Sequence, residues 1–248
     1  MEKLGVIILA AGHGKRMKGS IQKVLYRVNG TPMILYVVST AEKLNPEKIV
    51  VIIGDRKEEV KKCLKNKNVQ FVVQEEQLGT GHAVLQAAPI FKEFKGKILI
   101  LAGDTPLLTE NTLIRMVNYY NENSFDAVLL SAIFEEPFGY GRIVRSETGE
   151  LKEIKEEKDA SPEEKKIKEI NSGNYIFNSR ELFSRLHRLK NDNKQGEYYL
   201  TDMVKIFIED GLSVGVILTD NKYEVLGVNT REQLKKVNNI YRKYLTNG

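Results

Sequence analysis

The stretch Val6-Ile7-Ile8-Leu9-Ala10-Ala11-Gly12-His13-Gly14-Lys15-Arg16-Met17 is an apolar run that ends in two glycines and two cations. The run is too short to cross a membrane and lacks the features of a signal peptide, so it predicts a buried parallel strand. Gly12 and Gly14 let the backbone turn and bring its N–H groups close to an anion, while Lys15 and Arg16 add positive charge. The stretch predicts a strand that opens into a phosphate loop, with an ordinary glycine-containing turn as the alternative.

Two common phosphate motifs do not fit this loop. The Walker loop needs Gly-Lys-Ser/Thr after its last glycine, and the dinucleotide fingerprint needs a third glycine where this chain has Met17. The spelling therefore argues against a P-loop nucleotide hydrolase and against a dinucleotide-dependent oxidoreductase.

The composition is that of one globular domain without nucleic-acid or disulfide chemistry. The 248 residues are 42% hydrophobic, and the net charge of +5 is spread along the chain rather than collected in a basic arm. Cys63 is the only cysteine, and His13, His82 and His187 are too scattered for a local zinc pair. We expect a cytoplasmic protein with no nucleic-acid or membrane partner.

Apolar runs alternate with amphipathic segments through the first half of the chain. Strands are predicted at Lys48–Ile53, Val69–Val73, Lys97–Ala102 and Asp126–Ile133. Between them, Thr31 is expected to cap a helix that buries Ile34, Val37, Val38 and Ala41, a helix is expected from Ala83 to Ala88, and Thr109 is expected to begin a helix that buries Leu113, Ile114 and Val117. The alternation predicts an α/β fold with a doubly wound, mostly parallel, Rossmann-like sheet, whose ligands bind at the carboxyl ends of the strands.

The alternation of predicted strands and helices changes after Ile133. A hairpin from Phe138 to Lys155 predicts a small lobe over the sheet edge, at about residues 134–175, inserted in a single domain of residues 1–248. Glu224–Val228 is expected to be a strand, and Thr230 with Gln233 forms a capping box for a final helix over residues 230–248. Tyr241, Tyr244 and Leu245 are expected to leave part of its apolar stripe uncovered.

The chain contains no Ser-His-acid or Cys-His set to accompany these glycine turns. Nucleotidyl transfer to a sugar phosphate needs none, because the attacking phosphate has a second pKa of roughly 6 and is already an anion. Such a site needs cations, backbone donors and a metal to neutralise a triphosphate.

Several short sequence motifs follow the opening loop. They are Lys23-Val24-Leu25, Glu76-Gln77-Leu78-Gly79-Thr80-Gly81-His82-Ala83, Gly139-Tyr140-Gly141-Arg142-Ile143, Ile170-Asn171-Ser172-Gly173, Gln195-Gly196-Glu197-Tyr198-Tyr199-Leu200-Thr201-Asp202 and Gly227-Val228-Asn229. Together with Leu9–Met17 they resemble the sugar nucleotidyltransferases, and within that family the uridylyltransferase domain of bacterial bifunctional N-acetylglucosamine-1-phosphate uridylyltransferases. The resemblance extends from about Leu4 to Arg231.

This resemblance implies a Mg²⁺-dependent transfer of UMP from UTP to N-acetylglucosamine 1-phosphate, with release of pyrophosphate. It implies that Arg16 and Lys23 are catalytic and that Asp104 and Asn229 hold Mg²⁺. The nucleotide-binding residues would be Leu9, Ala10, Ala11, Gly12, Gly14, Lys23, Gln74, Gly79 and Thr80. The sugar-binding residues would be Gly141, Glu156, Asn171 and Thr201.

Two departures from the family pattern and several alternatives remain. Gln22 stands where the family usually has proline, and Ser172 stands where it usually has threonine. A related transferase for another sugar or base, or a non-catalytic nucleotide-sugar sensor, would share the fold. No hexapeptide repeat of an acetyltransferase β-helix is visible, so we expect uridylyl transfer without acetyl transfer and a monomer or weak dimer.

Overall fold

The opening apolar run forms the central strand β1, Lys3–Ala10, in a computed structural model that describes residues 2–12, 14–17, 19 and 21–244. His13, Leu245 and the side chains of Lys15 and Tyr244 lie outside the described part of the chain. Successive β1 residues alternate between two cores: Val6 and Ile8 face one, and Ile7 faces the other. A strand buried on both faces needs this unbroken apolar spelling.

The other strands, in chain order, are β2 Arg27–Val28, β3 Thr31–Pro32, β4 Lys48–Ile53, β5 Gln70–Val73, β6 Gly96–Ala102, β7 Ala127–Ile133, β8 Arg142–Arg145, β9 Leu151–Lys155, β10 Glu169–Asn178 and β11 Val214–Leu218. The main sheet has the order β11-β7-β10-β6-β1-β4-β5. Its β1, β4, β5 and β6 are mutually parallel, as are β7 and β11, whereas β10 runs antiparallel to both neighbours. The predicted α/β fold with a mostly parallel sheet is confirmed.

The α-helices are α1 Met33–Glu42, α2 Lys57–Cys63, α3 Thr80–Gln86, α4 Ala88–Phe91, α5 Glu110–Glu122, α6 Ser179–Arg185, α7 Asp202–Glu209 and α8 Arg231–Tyr244. One core includes side chains from α1, α2, α5 and α8, and the other includes side chains from α3, α4, α6 and α7. Helices therefore cover both faces of the sheet, as a doubly wound fold requires. None of the described helices is both long and apolar enough to cross a membrane.

The strand β10 joins the sheet to the hairpin of β8 and β9. Its first residues pair with both β7 and β8, and its last residues pair with β6 and β7. The pairing with β7 is interrupted between Asn171 and Tyr175, where Gly173 has a φ of +78°. On the other side of β10, the Asn174 side chain accepts a 3.2 Å hydrogen bond from Ala102 N, at the end of β6 beyond its last residue paired with β10, Ile100.

Four details of the sequence prediction are wrong. Thr31 does not cap α1, because Thr31 and Pro32 pair with β2 and Pro32 takes the N-cap position without a side-chain bond. Ile114 is 41% exposed, since Met116 and Tyr120 fill the inner face of α5 instead. The helix predicted at Ala83–Ala88 begins earlier, at Thr80, and is divided into α3 and α4 around Ala87.

The strand predicted at Glu224–Val228 is instead a 3-10 turn, Lys222–Val225, followed by a loop. Its Asn221 caps the turn by accepting a hydrogen bond from Tyr223 N. The buried Glu224 carboxylate accepts a 3.0 Å bond from Thr109 Oγ1. The final capping box is confirmed: Thr230 Oγ1 accepts from Gln233 N, and Gln233 Oε1 accepts from Thr230 N.

Candidate active site

The candidate site lies at the edge where the parallel strands β1, β4, β5 and β6 end. Gly12 follows β1, Gln74 follows β5 and Asp104 follows β6. The backbones pack closely here: a Cβ on Gly103 would lie 2.6 Å from Leu9 O, and one on Gly54 would lie 2.7 Å from Ala11 O. The glycines therefore allow neighbouring strand ends to converge on one shallow surface.

The glycine loop after β1 is fastened by the buried side chain of Gln22. Its Nε2 donates to Ala10 O at 3.0 Å and to Gly12 O at 2.9 Å, and its Oε1 accepts from Val24 N at 2.9 Å. One amide therefore ties the end of β1 to the short 3-10 turn that begins at Lys23. Gly14 has a φ of +61°, and a Cβ there would approach Lys23 Cβ to 2.8 Å, so this position requires glycine.

Lys23 joins two residues that are distant in the sequence. Its Nζ donates to Asp104 Oδ2 at 2.5 Å and to Asn229 Oδ1 at 3.0 Å. The segment bearing Asn229 is held in register because Val228 N donates to Asp104 O at 3.0 Å. One predicted catalytic cation and both predicted metal ligands are therefore in direct contact.

A second cluster forms where β5 meets α3. The buried Gln74 side chain donates from Nε2 to Gly79 O and lies beside the ring of His82. Gly79 has a φ of +108°, and a Cβ there would lie 2.6 Å from Tyr198 O. Thr80 Oγ1 accepts from Leu200 N at 3.0 Å. Three of the predicted nucleotide-binding residues are therefore brought together, and the segment around Tyr198 packs against them.

The four predicted sugar-binding residues also meet. Thr201 Oγ1 donates to Glu156 Oε1 at 3.0 Å, and Asn171 N donates to Gly141 O at 2.9 Å. A Cβ on Gly141 would lie 3.7 Å from both Asn171 Cβ and Glu156 Cδ. Gly141 precedes β8, Glu156 follows β9, Asn171 lies in β10 and Thr201 precedes α7. The fold therefore brings together four residues that are separated in the sequence.

Buried acid groups make this sugar cluster electrostatically unusual. Burial raises the pKa of Glu156, an effect that the hydrogen bond from Thr201 opposes and that neighbouring Asp202, Asp159 and Glu197 reinforce. Burial also raises the pKa of Asp202 to about 6. A buried carboxyl with one oxygen engaged can pair with a ligand hydroxyl group.

Asp104 and Asn229 offer two oxygen ligands, which suits Mg²⁺ better than a metal that takes all its ligands from the protein. Within residues 2–12, 14–17, 19 and 21–244, no group of three or more His, Cys, Asp or Glu residues could hold a metal. One carboxylate and one amide oxygen suit Mg²⁺, which usually keeps waters and shares its remaining positions with substrate phosphates. The donor set is therefore compatible with a metal that arrives with a nucleotide.

Other predicted residues take individual positions. Leu9, Ala10 and Ala11 lie at the end of β1, where Leu9 O accepts from Gly103 N. Arg16 is exposed in the 3-10 turn Lys15–Met17 that follows the glycine loop, and among the described residues it forms no ion pair with Asp104.

Sequence reasoning missed the supporting residues of the site. Gln22 was noticed only as a departure from a pattern, although its amide fastens the loop. His82 and Asn174 were not singled out, and Tyr140 was noticed only within a motif; its Oη accepts from Gly227 N at 3.2 Å. His82, Tyr140 and Asn174 share one signal in the sequence, since each is a polar side chain next to a glycine of a motif, whereas Gln22 has no such neighbour.

Comparison with known proteins now adds the family. Residues 6–204 match the model of the MobA-like NTP transferase domain. The chain belongs to this family of nucleotidyltransferases. The match includes β1 with its glycine loop, the Gln74 corner, Asp104 and the sugar cluster, and it ends within α7.

Two curated relatives and one solved structure define the neighbourhood further. The bifunctional protein GlmU of Acetivibrio thermocellus and that of Bacillus subtilis strain 168 are each 44% identical over 253 aligned positions, which cover 100% of this chain and 55% of each relative. The chain thus spans about half the length of these relatives. A crystal structure of UDP-glucose pyrophosphorylase complexed with UDP-glucose aligns with a TM-score of 0.77 at 21% identity, covering 98% of this chain and 99% of that one. At that identity the likeness establishes the fold.

Proposed function

We propose that this nucleotidyltransferase transfers UMP from UTP to N-acetylglucosamine 1-phosphate and releases pyrophosphate, with Mg²⁺ as the metal. The observation that carries the proposal is the contact of Lys23 with both Asp104 and Asn229 beside the glycine loop. That cluster supplies one cation and two metal-type oxygens at the edge where a family of NTP transferases would hold a triphosphate. The choice of base and sugar is supported by the 44% identity to proteins named GlmU.

In the proposed reaction an oxygen of the sugar phosphate attacks the α-phosphorus of UTP. The bond between the α-phosphorus and the bridging oxygen breaks, and pyrophosphate leaves with that electron pair. No side chain needs to remove a proton, because a phosphate monoester with a second pKa of roughly 6 is ionised at neutral pH. The task of the protein is to orient the two anions and to stabilise the added negative charge.

The chain's own residues divide this task. The backbone of the Gly12–Arg16 loop would bind the phosphates, while Lys23 and Arg16 would stabilise charge at the α-phosphate. Asp104 and Asn229 would hold Mg²⁺, which supplies neutralising charge to the phosphates when bound. Gln74, Gly79 and Thr80 would hold uracil, and Gly141, Glu156, Asn171 and Thr201 would hold the amino sugar.

A second candidate is a nucleotidyltransferase for another sugar phosphate. It is favoured by one observation: the solved structure that shares this fold carries UDP-glucose. The two candidates differ at the sugar cluster, where Asn171 and Glu156 could bond an acetamido group that glucose lacks. A site built around such a group should discriminate against a ligand without it.

Pyrophosphate release with four nucleoside triphosphates and several sugar phosphates tests the proposal. We expect turnover with UTP and N-acetylglucosamine 1-phosphate, in the presence of Mg²⁺, at a catalytic efficiency at least about tenfold above that with glucose 1-phosphate. Comparable efficiency with glucose 1-phosphate would favour the second candidate. No pyrophosphate release with any pair would contradict both candidates and favour the nucleotide-sugar sensor.

Two properties of the protein in solution complete the proposal. We expect these 248 residues to form a monomer or weak dimer, which light scattering at micromolar concentration measures, and a stable trimer would contradict this. We also expect a cytoplasmic location, which cell fractionation would test.

A further inference from the structure

The corner after β5 holds one side-chain amide in a single orientation. Gln74 Nε2 lies 3.0 Å from Gly79 O and 3.0 Å from His82 Nδ1. A peptide carbonyl can only accept a hydrogen bond, so the atom that faces Gly79 O must be the amide nitrogen. A rotated amide would place two oxygens against each other in a buried position.

This orientation fixes the role of the histidine. Both hydrogens of the Gln74 amide are directed at Gly79 O and His82 Nδ1, so Nδ1 must be an acceptor and the ring must carry its proton on Nε2. Gln86 Nε2 lies 3.0 Å from that Nε2, which would oppose two donors. One of the two amides must therefore rotate, and each also donates to a peptide carbonyl: Gln74 to Gly79 O at 3.0 Å and Gln86 to His82 O at 3.3 Å. Gln74 is buried with the shorter bond, whereas Gln86 is half-buried on α3 and can exchange its bond to His82 O for one to water, so the side chain that rotates to present its oxygen is Gln86.

The remaining polar atom of the Gln74 amide is then a fixed acceptor. Its Oε1 receives no hydrogen bond from the part of the chain that the structure describes. Gln74 therefore does not offer a bidentate amide to a ligand, because both of its amide hydrogens are already used. It offers one acceptor whose position is set by its neighbours.

We propose that His82 is a positioning residue that locks the Gln74 amide with Oε1 toward the base, and that this lock selects uracil over cytosine. The inference rests on the proposed function, and it deepens the choice of base. Position 3 of uracil is an N–H donor, whereas the same position of cytosine is a lone pair. A fixed acceptor opposite position 3 bonds the first base and repels the second.

The lock is needed because a glutamine amide is otherwise ambiguous. A free amide can rotate by half a turn and offer either its oxygen or its nitrogen at nearly the same place, which would serve both pyrimidines. Gly79 O and His82 Nδ1 each favour this orientation through one hydrogen bond, so removal of the His82 acceptor leaves only the bond to Gly79 O and lowers the free-energy preference for the orientation by about 1 kcal/mol. Discrimination between the two bases should then fall without any change at the sugar phosphate.

The test measures the UTP/CTP ratio of kcat/KM in wild type and three variants. We expect the wild type to prefer UTP by at least about tenfold and His82→Phe to lower that ratio by about tenfold. His82→Asn can return an acceptor close to the position of Nδ1 and should restore much of the ratio. Gln86→Ala, which alters only the far side of the ring, is the matched control and should leave the ratio unchanged, as should the KM for N-acetylglucosamine 1-phosphate in all variants.

Three results would overturn the inference: equal use of UTP and CTP by the wild type, an unchanged ratio in folded His82→Phe, or an equal loss in the Phe and Asn variants. Equilibrium binding of UTP and CTP to the wild type gives a readout that does not depend on any variant folding. It also separates the two proposals. Preferential UTP binding without turnover would contradict the proposed reaction alone, and turnover with equal use of CTP would contradict the lock alone.

Discussion

Lys23 Nζ lies 2.5 Å from Asp104 Oδ2, although 81 positions separate the two residues in the sequence. Their side chains are only 17% and 14% exposed, so water screens the pair weakly. The same ammonium also bonds Asn229. The Lys23 ammonium and the proposed metal would therefore compete for the same two oxygens, so the lysine should weaken metal binding.

Asp104→Ala should lower kcat by at least about 100-fold, because it removes the carboxylate that the proposed metal and Lys23 share. Pyrophosphate release under saturating substrates measures the effect. The chain contains a matched control: Asp55 also follows a strand and a glycine, but it is exposed after β4. Asp55→Ala should retain near-normal turnover, and equal losses in the two variants would contradict the assignment.

Lys23→Met should strengthen the binding of a divalent cation while it weakens catalysis. Removal of the ammonium frees Asp104 Oδ2 and Asn229 Oδ1, and it removes a repelling charge next to the metal. We expect Mn²⁺ to bind the nucleotide-free variant about tenfold more tightly, equivalent to about 1.4 kcal/mol. Paramagnetic resonance of free Mn²⁺ measures this without any turnover.

The same Lys23→Met protein should lose at least about 100-fold in kcat, since the positive charge at the α-phosphate is gone. Lys57→Met is the control, because Lys57 pairs with Glu75 on the surface and should change neither measurement. Unaltered Mn²⁺ affinity in Lys23→Met would show that the ammonium does not occupy the metal position.

Glu156→Gln should stabilise the fold increasingly as pH rises. The folded state holds the pKa of Glu156 above its usual value of 4.5, so the unfolded chain ionises first. Stability from this group is present below pH 4.5 and is lost as pH rises through the folded pKa. The variant keeps an oxygen for Thr201 Oγ1 but has no proton to lose, so it escapes that loss.

Urea unfolding of the wild type and Glu156→Gln at pH 4.5 and pH 7.5 measures the difference. Because Asp202 interacts with Glu156, the measured difference also includes the change that loss of the Glu156 charge makes in the titration of Asp202. A difference in unfolding free energy that is the same at both pH values would contradict the assigned cause. Loss of sugar-phosphate turnover in the more stable variant would mark Glu156 as a residue kept for binding at the expense of stability.

Arg142→Met should cost about 3 kcal/mol of unfolding free energy. Arg142 is 2% exposed and pairs with Glu157 at 2.8 Å, and removal of the arginine leaves a largely buried carboxylate with only the Gly139 N–H as its partner among the described residues. Thermal and urea unfolding measure the loss. Because the guanidinium also bonds the Tyr140 and Lys165 carbonyls, the variant should loosen the hairpin that bears Gly141.

The double variant Arg142→Met/Glu157→Leu tests whether the cost comes from the stranded charge. It should be more stable than Arg142→Met alone, since no unpaired carboxylate remains. Lys166→Ala, which breaks an exposed pair with Glu163, should cost less than about 0.5 kcal/mol. A double variant as unstable as the single one would assign the cost to packing instead.

Strands that consist of an unbroken run of apolar residues were predictable from the sequence. Short elements whose conformation depends on polar tertiary contacts were not. Lys48–Ile53 has the predicted bounds because its five apolar residues, 49–53, are buried in a strand that lies between two others. By contrast, Glu224 turns inward to bond Thr109, a contact that strand periodicity cannot reveal. Thr31 is a residue type that commonly caps helices and it is followed by proline, but here it pairs with β2 as part of a strand instead of capping α1. Tertiary contacts override local propensity at these places.

The candidate site was predictable where motifs name residues and was not where one side chain supports another. Gly141, Glu156, Asn171 and Thr201 were predicted, and the structure brings them together. The Gln22 amide bonds the backbone of Ala10, and the His82 ring contacts the Gln74 amide. Neither pair is adjacent in the sequence, so only the folded structure shows that these residues meet. Their roles, like those of the motif residues, stay predictions until the variants are measured.

The position of β10 between β6 and β7 has a consequence for the order in which the molecule can form. During synthesis β1, β4, β5 and β6 emerge early and can pair with one another, but β6 keeps an open edge until β10 has left the ribosome. The strand that closes this edge also bears Asn171 and Asn174. Closure of the aggregation-prone edge and assembly of the sugar cluster are therefore one late folding event, and mutations in β10 should be recovered as insoluble protein more often than as soluble protein with altered specificity.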